Sequence, residues 1–191
     1  MPEIEIRPAI ASDIPSLVEL DHHYTSDHVW QIEMRRGSPT SLVSEPVRSV
    51  HFRQMRLPRS ARVEYPRPPK ALIEDWNSRS GVLVALLDQQ PIGYASLSLQ
   101  VVPISAWVSD LVVDRPLRRK GIGRALLLAA TEWATQEWVT QMGKQNLILE
   151  MQPKNHPAIQ LALKLGFELC GYNDRYYANH DAAIFFGKSL F

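Results

Sequence analysis

The sequence is short of cysteine, of long apolar runs and of any excess of one charge, and each shortage excludes a class of protein. The single cysteine, Cys170, cannot form an internal disulfide, so we expect a reducing compartment. The apolar runs are far too short to cross a bilayer, and the first residues, MPEIEIRP, contain no apolar signal segment. We therefore predict a cytoplasmic protein with no membrane partner.

The net charge of +1 over 191 residues gives no sign of a nucleic-acid partner, and the length suits one domain, residues 1–191. Charge is unevenly placed, however, because residues 31–70 hold nine Lys and Arg, three Asp and Glu and six of the fourteen prolines. This pattern predicts a basic, loop-rich insertion at about 37–70 with one strand near Val47–Met55. A solvated loop and a surface that binds an acidic partner both remain open for it.

Apolar periodicity outside this insertion indicates alternating strands and helices. A short strand is predicted at Glu3–Arg7, then a helix capped by Ser12 or Asp13, and a second helix at Asp27–Arg35. Further strands are predicted at Gly81–Leu87, Ile92–Val101, Ile104–Val113, Leu147–Met151, Phe167–Tyr172 and Ala182–Gly187, with helices after residues 121 and 155. This order of strands and helices predicts the α/β class, with α+β character: a mixed sheet that has helices on both faces.

The most informative stretch runs from Arg118 to Arg124, RRKGIGR, between a predicted strand and a predicted helix. Gly121 and Gly123 let the backbone turn sharply and approach a ligand, because they lack a Cβ atom. The free N–H groups of the first helical turn and the cationic side chains around them then form a binding site for a polyphosphate.

Two common nucleotide motifs do not fit this chain. The third glycine of the dinucleotide motif G-x-G-x-x-G would fall on Leu126. For the C-terminal run Gly187-Lys188-Ser189, the first glycine of a Walker motif would fall on Ala182. The phosphate ligand is therefore predicted to be something other than these nucleotides.

Three motifs, in the right order within residues 81–187, resemble those of the GNAT superfamily of N-acetyltransferases. They are Arg118-x-x-Gly121-x-Gly123, Asn155-x-x-Ala158 and Lys164-x-Gly166-Phe167. The first is similar to the acyl-CoA pyrophosphate motif of that family, and the other two are similar to its later helix and strand. The resemblance implies the GNAT fold, a mixed six- to seven-stranded sheet in which two central parallel strands splay apart.

The resemblance also implies acetyl-CoA as cosubstrate. In the family, amides of the glycine turn hold the pyrophosphate, the preceding strand pairs with the pantetheine arm, and an amide near the end of that strand polarises the thioester carbonyl. The acetyl-CoA-binding residues implied here are Leu111, Val112, Val113, Arg118, Arg119, Lys120, Gly121, Ile122, Gly123, Arg124 and Asn155. No metal is expected, since His22, His23 and His28 contain no H-x-x-x-H pair.

An amine with a free pKa near 10.4 must lose a proton before it attacks a thioester, so we expect a carboxylate as general base. Glu150 lies five residues before Asn155, a spacing similar to that of the base in bacterial ribosomal-protein acetyltransferases of the family. Asp110 precedes an apolar run, where an unpaired buried carboxylate would be costly, which favours a position facing the cleft. Both remain candidate catalytic residues.

The family often places a tyrosine twelve residues after that glutamate, to protonate the leaving thiolate. In this chain the position is Ala162. Tyr172, Tyr176, Tyr177 or water remain open as substitutes. Cys170 is interpreted as a small buried apolar residue rather than a nucleophile.

The N-terminal residues resemble those of streptothricin-type antibiotic acetyltransferases, whose N-terminal region lines the acceptor pocket. The resemblance implies that Asp21, Tyr24 and Trp30 bind a cationic amine, although all three also suit ordinary helix-face and core positions. The favoured function is transfer of acetyl to a primary amine of a small molecule, by direct attack in a ternary complex. A protein N-alpha or lysine acetyltransferase and a non-catalytic acyl-CoA-binding or nucleic-acid-associated module are the alternatives, and a homodimer remains open.

Overall fold

The computed structural model describes residues 4–36, 48–102, 104–141 and 145–191. In these residues a seven-stranded mixed sheet forms the centre of the molecule, and a two-stranded hairpin packs against it. The strands are β1 (Ile4–Pro8), β2 (Tyr24–Arg36), β3 (Arg48–Val63), β4 (Gly81–Leu87), β5 (Gln90–Val102), β6 (Ser105–Val113), β7 (Asn146–Met151), β8 (Glu168–Asn173) and β9 (Ala183–Ser189). The α-helices are α1 (Ile14–Val18), α2 (Ala71–Asp75), α3 (Ile122–Gln141) and α4 (His156–Lys164).

The central sheet has the strand order β1-β4-β5-β6-β7-β9-β8. Its neighbouring strands are antiparallel, except that β6 and β7 are parallel and joined by the crossover helix α3. The seven strands and the helices confirm the predicted mixed sheet of the α/β class.

Each face of the sheet buries a separate apolar cluster, because successive side chains of a strand point to opposite faces. In β4, Leu83 and Ala85 join the cluster that also contains buried residues of α3 and α4. Val82 and Val84, on the opposite face of the same strand, pack with residues of α1 and α2. Helices therefore cover both faces, as the element order predicts.

The helix α4 begins and ends at residues that favour helix termini. In α4, the side chain of Asn155 accepts a hydrogen bond from Ala158 N (3.2 Å), Pro157 lies in the first turn, and Gly166 follows the last turn with φ of 79°. Asp88 and Gln89 form the turn between β4 and β5, both with positive φ, as a two-residue hairpin loop requires.

The helix predicted at Asp27–Arg35 is wrong, because those residues belong to the strand β2. It pairs antiparallel with β3, from Tyr24 opposite Val63 to Arg36 opposite Arg48. Alternate residues Trp30 and Ile32 face the core, a period of two that a helical interpretation of this run overlooks. The long-range pairing with β3 decides the conformation of this segment.

The basic segment contains more regular structure than predicted. β3 extends to Val63, well beyond the strand predicted near Val47–Met55, so residues 48–63 are strand rather than loop. The part of the predicted insertion at 37–47, with Val47 itself, lies outside the described residues. In the described parts of the chain, no helix combines the length and apolar character needed to cross a membrane.

Candidate active site

The site is the gap that opens between β6 and β7. The two strands pair in parallel from Ser105 opposite Asn146 to Val108 opposite Leu149, and the registered pairing of the described residues ends there. In the pairing of β6 with β5, Ser109 is an extra residue between two registers, which is a β-bulge. The carboxyl ends of the strands therefore separate, as the family resemblance implies, and open a cavity lined by Val108, Leu111, Leu149, Glu150, Asn155 and Tyr177.

Glu150 lies in this gap with its side chain 2% exposed. Its Oε1 accepts a hydrogen bond from the Arg67 guanidinium, and its Oε2 accepts one from the Tyr176 hydroxyl at 2.6 Å. Burial raises the pKa of Glu150 above its usual value, while Arg67 and the bond from Tyr176 offset part of that rise. The result is a buried carboxylate with raised proton affinity, which suits a general base.

Asp110, on the neighbouring strand β6, is held by two arginines. Its Oδ2 lies 2.5 Å from Arg79 Nη1, and its Oδ1 lies 3.5 Å from Arg67 Nη1. Arg79 also bonds to Ser96 on β5 and to Asp75 at the end of α2. Asp110 thus joins β6 to neighbouring elements as an ion-paired residue, and its predicted catalytic role stays a prediction.

Arg67 is the residue that sequence reasoning missed. It donates to the Ser109 carbonyl at 2.8 Å, pairs with both carboxylates, and lies over the Tyr177 ring at 5.3 Å. Burial alone would lower the pKa of Arg67, but Asp110 and Glu150 outweigh it and raise the pKa. The only signal in the sequence was its place in the basic segment, for which a solvated loop and a surface that binds an acidic partner were both open.

The glycine turn has the backbone that its sequence predicts. Gly121 has φ of 89°, and a Cβ atom there would meet no heavy atom within 4 Å, so the turn is open to a ligand. At the start of α3, Ala125 N donates to Gly121 O (3.0 Å). The N–H groups before Ala125 belong to the first turn, where an α-helix offers its N–H groups no partner of its own. Exposed cationic side chains surround it, those of Arg119, Lys120 and Arg124. The open space and the charge suit a pyrophosphate.

Arg118 does not extend into that open space. Its guanidinium is half-buried and bonds to the carbonyl oxygens of Asp21 and His23, while its Nε donates to Val113 O at 2.7 Å. Its side chain fixes the turn to the N-terminal segment. Three more residues predicted to bind acetyl-CoA, Leu111, Val112 and Val113, lie on β6, where Val112 is buried in the core and Leu111 N donates to the Tyr65 hydroxyl at 3.3 Å. Of the other predicted residues, Ile122 is buried at the start of α3 and Asn155 caps α4.

Asp21, Tyr24 and Trp30 share no partner among their described contacts. Asp21 lies near the glycine turn and bonds to His23. Tyr24 is buried and donates to Gln152, which borders the cavity, whereas Trp30 packs edge-on against Phe186 in the core. Only Tyr24 therefore approaches the gap, and a joint acceptor pocket of these three residues stays a prediction.

The residues considered for the acid step and as a nucleophile lie in different places. Ala162, where the family often has its tyrosine, is fully buried in the core and offers no hydroxyl. Tyr176 reaches Glu150 instead. Cys170 is exposed on β8, which corrects its interpretation as a buried apolar residue.

One histidine cluster has ligand atoms close together. Those of Asp27, His28 and His156 lie within 4.8 Å of one another. The two imidazole rings are stacked, however, with centroids 4.5 Å apart and planes at 30°. A metal must lie near the plane of each ring it binds, so these rings do not converge on one ion as they stand. The expected absence of a metal stays a prediction.

The sequence of this chain is similar to those of known proteins. The acetyltransferase (GNAT) family model matches residues 50–167. Streptothricin acetyltransferase of Streptomyces lavendulae is 34% identical over 109 residues, which are 54% of this chain and 52% of that protein. A 2-imino-3-(indol-3-yl)propanoate dimerase of Chromobacterium violaceum is 30% identical over 101 residues, 52% of this chain and 10% of the dimerase. The chain thus spans about half the length, or less, of these relatives.

Solved structures resemble the whole chain in fold. A nourseothricin acetyltransferase has a TM-score of 0.75 at 23% identity, with 98% of each chain covered. A protein of Bacillus anthracis assigned as a streptothricin acetyltransferase, solved with acetyl coenzyme A, has a TM-score of 0.73 at 21% identity, with 98% of this chain and 99% of that one covered. The family model matches residues 50–167, which are more than half of this chain. The chain therefore belongs to the acetyltransferase (GNAT) family.

Proposed function

We propose that this protein transfers an acetyl group from acetyl-CoA to a primary amine of a small molecule, by direct attack in a ternary complex. The observation that carries the proposal is Glu150, buried in the gap between β6 and β7 and bonded to the Tyr176 hydroxyl. The glycine turn at the start of α3 supports the donor side, since it offers open backbone and exposed positive charge to a pyrophosphate.

The roles of the residues follow from the protons that the reaction releases. An ammonium acceptor loses its first proton to Glu150, which passes it to solvent, and the neutral amine then attacks the thioester carbon. As the new C–N bond forms and the C–S bond breaks, the nitrogen gives up a second proton. The Tyr176 hydroxyl passes this proton to the leaving thiolate and is restored through Glu150. The products are an amide, free CoA and one released proton.

The acceptor is proposed to be a cationic amine, as in the antibiotics named for the streptothricin and nourseothricin acetyltransferases. Asp21, Tyr24 and Trp30 remain the proposed acceptor residues, with Tyr24 supported best because it bonds to Gln152 at the cavity. A panel should contain such antibiotics, polyamines, and peptides with free N-terminal or lysine amines. Thiol release with the peptides alone would favour a protein acetyltransferase, and release with none of the amines would favour a non-catalytic module.

Glu150→Gln tests the proposal directly. The amide keeps the shape of the side chain but cannot accept the proton, so we expect kcat/KM for the amine to fall about 100-fold or more. Affinity for acetyl-CoA, measured by calorimetry, should stay unchanged. The exposed Glu168 on β8 offers the control Glu168→Gln, which should retain activity. Full activity of Glu150→Gln, or a competent acetyl adduct on Cys170, would contradict the mechanism.

A further inference from the structure

Arg67 is held in an unusual place for a residue of a basic segment. It follows β3, between Pro66 and Pro68, and a following proline restricts the preceding residue to extended backbone. The segment therefore presents Arg67 in one direction, towards the gap. Its side chain is 27% exposed, whereas the carboxylates of Asp110 and Glu150 beneath it are 3% and 2% exposed.

The guanidinium spans the gap from one strand to the other. On the β6 side it donates to Ser109 O and lies near Asp110, and on the β7 side it bonds to Glu150 Oε1. The parallel pairing of β6 with β7 ends at Val108 and Leu149, so Arg67 links the two strands where their backbones no longer do.

We propose that Arg67 is a positioning residue for the acetyl transfer proposed above, on which this inference rests: it links the splayed strands and keeps Glu150 oriented and ionised as the base. With Oε1 occupied by Arg67, Glu150 turns Oε2 to the Tyr176 hydroxyl, which is the side where the proton is exchanged. A planar guanidinium with several donors suits this role better than a single ammonium.

The charges around Glu150 favour this role. Arg67 is the cation bonded to it, Asp110 is a like charge on the far side of Arg67, and the hydroxyls of Tyr176 and Tyr177 are the other titratable groups around it. Without Arg67, burial and the charge of Asp110 would both favour protonated Glu150, and a protonated carboxyl cannot act as the base.

Arg79 provides a matched comparison, because it is also a buried arginine paired with Asp110. Its described partners are Asp75, Ser96 and Asp110, and they do not include Glu150. Replacing Arg79 therefore disturbs the same ion-paired cluster without removing the cation from the base. A merely structural Arg67 would behave like Arg79.

The experiment compares Arg67→Met, Arg67→Lys and Arg79→Met in the full chain. The acid limb of the pH profile of kcat/KM should move up by about one pH unit or more in Arg67→Met, which removes an opposite charge in contact with the base. Arg67→Lys should restore part of the shift, and Arg79→Met should leave the limb where it is. An unmoved acid limb in Arg67→Met, with rates lowered equally at every pH, would overturn the proposal.

A second measurement does not depend on turnover. The side-chain carboxyl of Glu150, assigned in ¹³C-glutamate spectra by its loss in Glu150→Gln, is titrated in the wild type and in Arg67→Gln, which keeps donors but no charge. The same upward shift is expected, and its absence would overturn the inference even if the enzyme is active. Arg67→Gln also replaces Arg67→Met if circular dichroism shows the latter unfolded. A shift without thiol release from any amine would instead overturn the proposed function.

Discussion

At the scale of single residues, two carboxylates that look alike in sequence differ in their partners. Asp110 and Glu150 both lie on the central strands and both are almost fully buried. Asp110 is shared by two guanidinium groups, whereas Glu150 is bonded to one guanidinium and one phenol. A phenol can pass a proton on and a guanidinium cannot at neutral pH, so Glu150 is the better base.

Tyr176→Phe tests the proton path at this scale. The substitution removes the hydroxyl 2.6 Å from Glu150 but keeps the ring against Tyr177 and Phe185. We expect kcat to fall about 10- to 100-fold with little change in the KM for acetyl-CoA, because proton transfer is lost and binding is not. Tyr172→Phe is the control, since that hydroxyl contacts the Met34 sulfur. Unchanged kcat in Tyr176→Phe would assign the acid step to another group.

At the scale of elements, the turn before α3 depends on one glycine for its conformation. Gly121 has φ of 89°, which an alanine adopts only with strain, whereas a Cβ atom at Gly123 would lie 3.4 Å from Leu161 in ordinary contact. Gly121→Ala should lower the free energy of unfolding by about 1–2 kcal/mol, and Gly123→Ala should change it by no more than about 0.5 kcal/mol. Urea unfolding measures both.

The same pair of variants separates stability from ligand binding. Because a relaxed alanine would reorient the turn, Gly121→Ala should also weaken acetyl-CoA binding several-fold by calorimetry. Equal losses of stability in the two variants would mean that positive φ is not what the turn needs from Gly121. Undiminished acetyl-CoA affinity would mean that its amides do not hold the pyrophosphate.

At the scale of the whole molecule, the cluster around Asp110 holds several elements together. Arg79, just before β4, connects Asp75, Ser96 on β5 and Asp110 on β6. Asp110→Asn would remove the buried carboxylate that the two guanidinium groups share and leave them only Glu150 and Asp75 as counter-charges. We therefore expect a loss of about 3 kcal/mol in the free energy of unfolding.

The control for that loss is Asp75→Asn, since Asp75 is 47% exposed and its ion pair is open to solvent. Exposed pairs contribute little, so this change should cost about 1 kcal/mol or less. If Asp110→Asn kept wild-type stability while activity fell, Asp110 would be a catalytic group rather than part of the frame. Chemical unfolding and the amine assay together decide between these roles.

The sequence predicted most of the central sheet, because its strands and long helices carry their own local signals. Alternation or short apolar runs marked β4 to β9, and Asn155, Pro157 and Gly166 marked the ends of α4. It failed at Asp27–Arg35, where the propensity of a short polar run is weak and the partner strand β3 lies far along the chain. The residues of one segment do not indicate which distant strand will pair with it.

The sequence by itself determined the family, the glycine turn and the candidate carboxylates, because motif spacing and backbone requirements are local properties. Only the tertiary structure decided what those carboxylates touch. Arg67 lies 83 positions from Glu150 in the chain, and Tyr176 lies 26 from it. The fold brings the segments after β3 and β8 to Glu150 on β7, and ion pairing and burial depend on such distances in space rather than on separations in sequence.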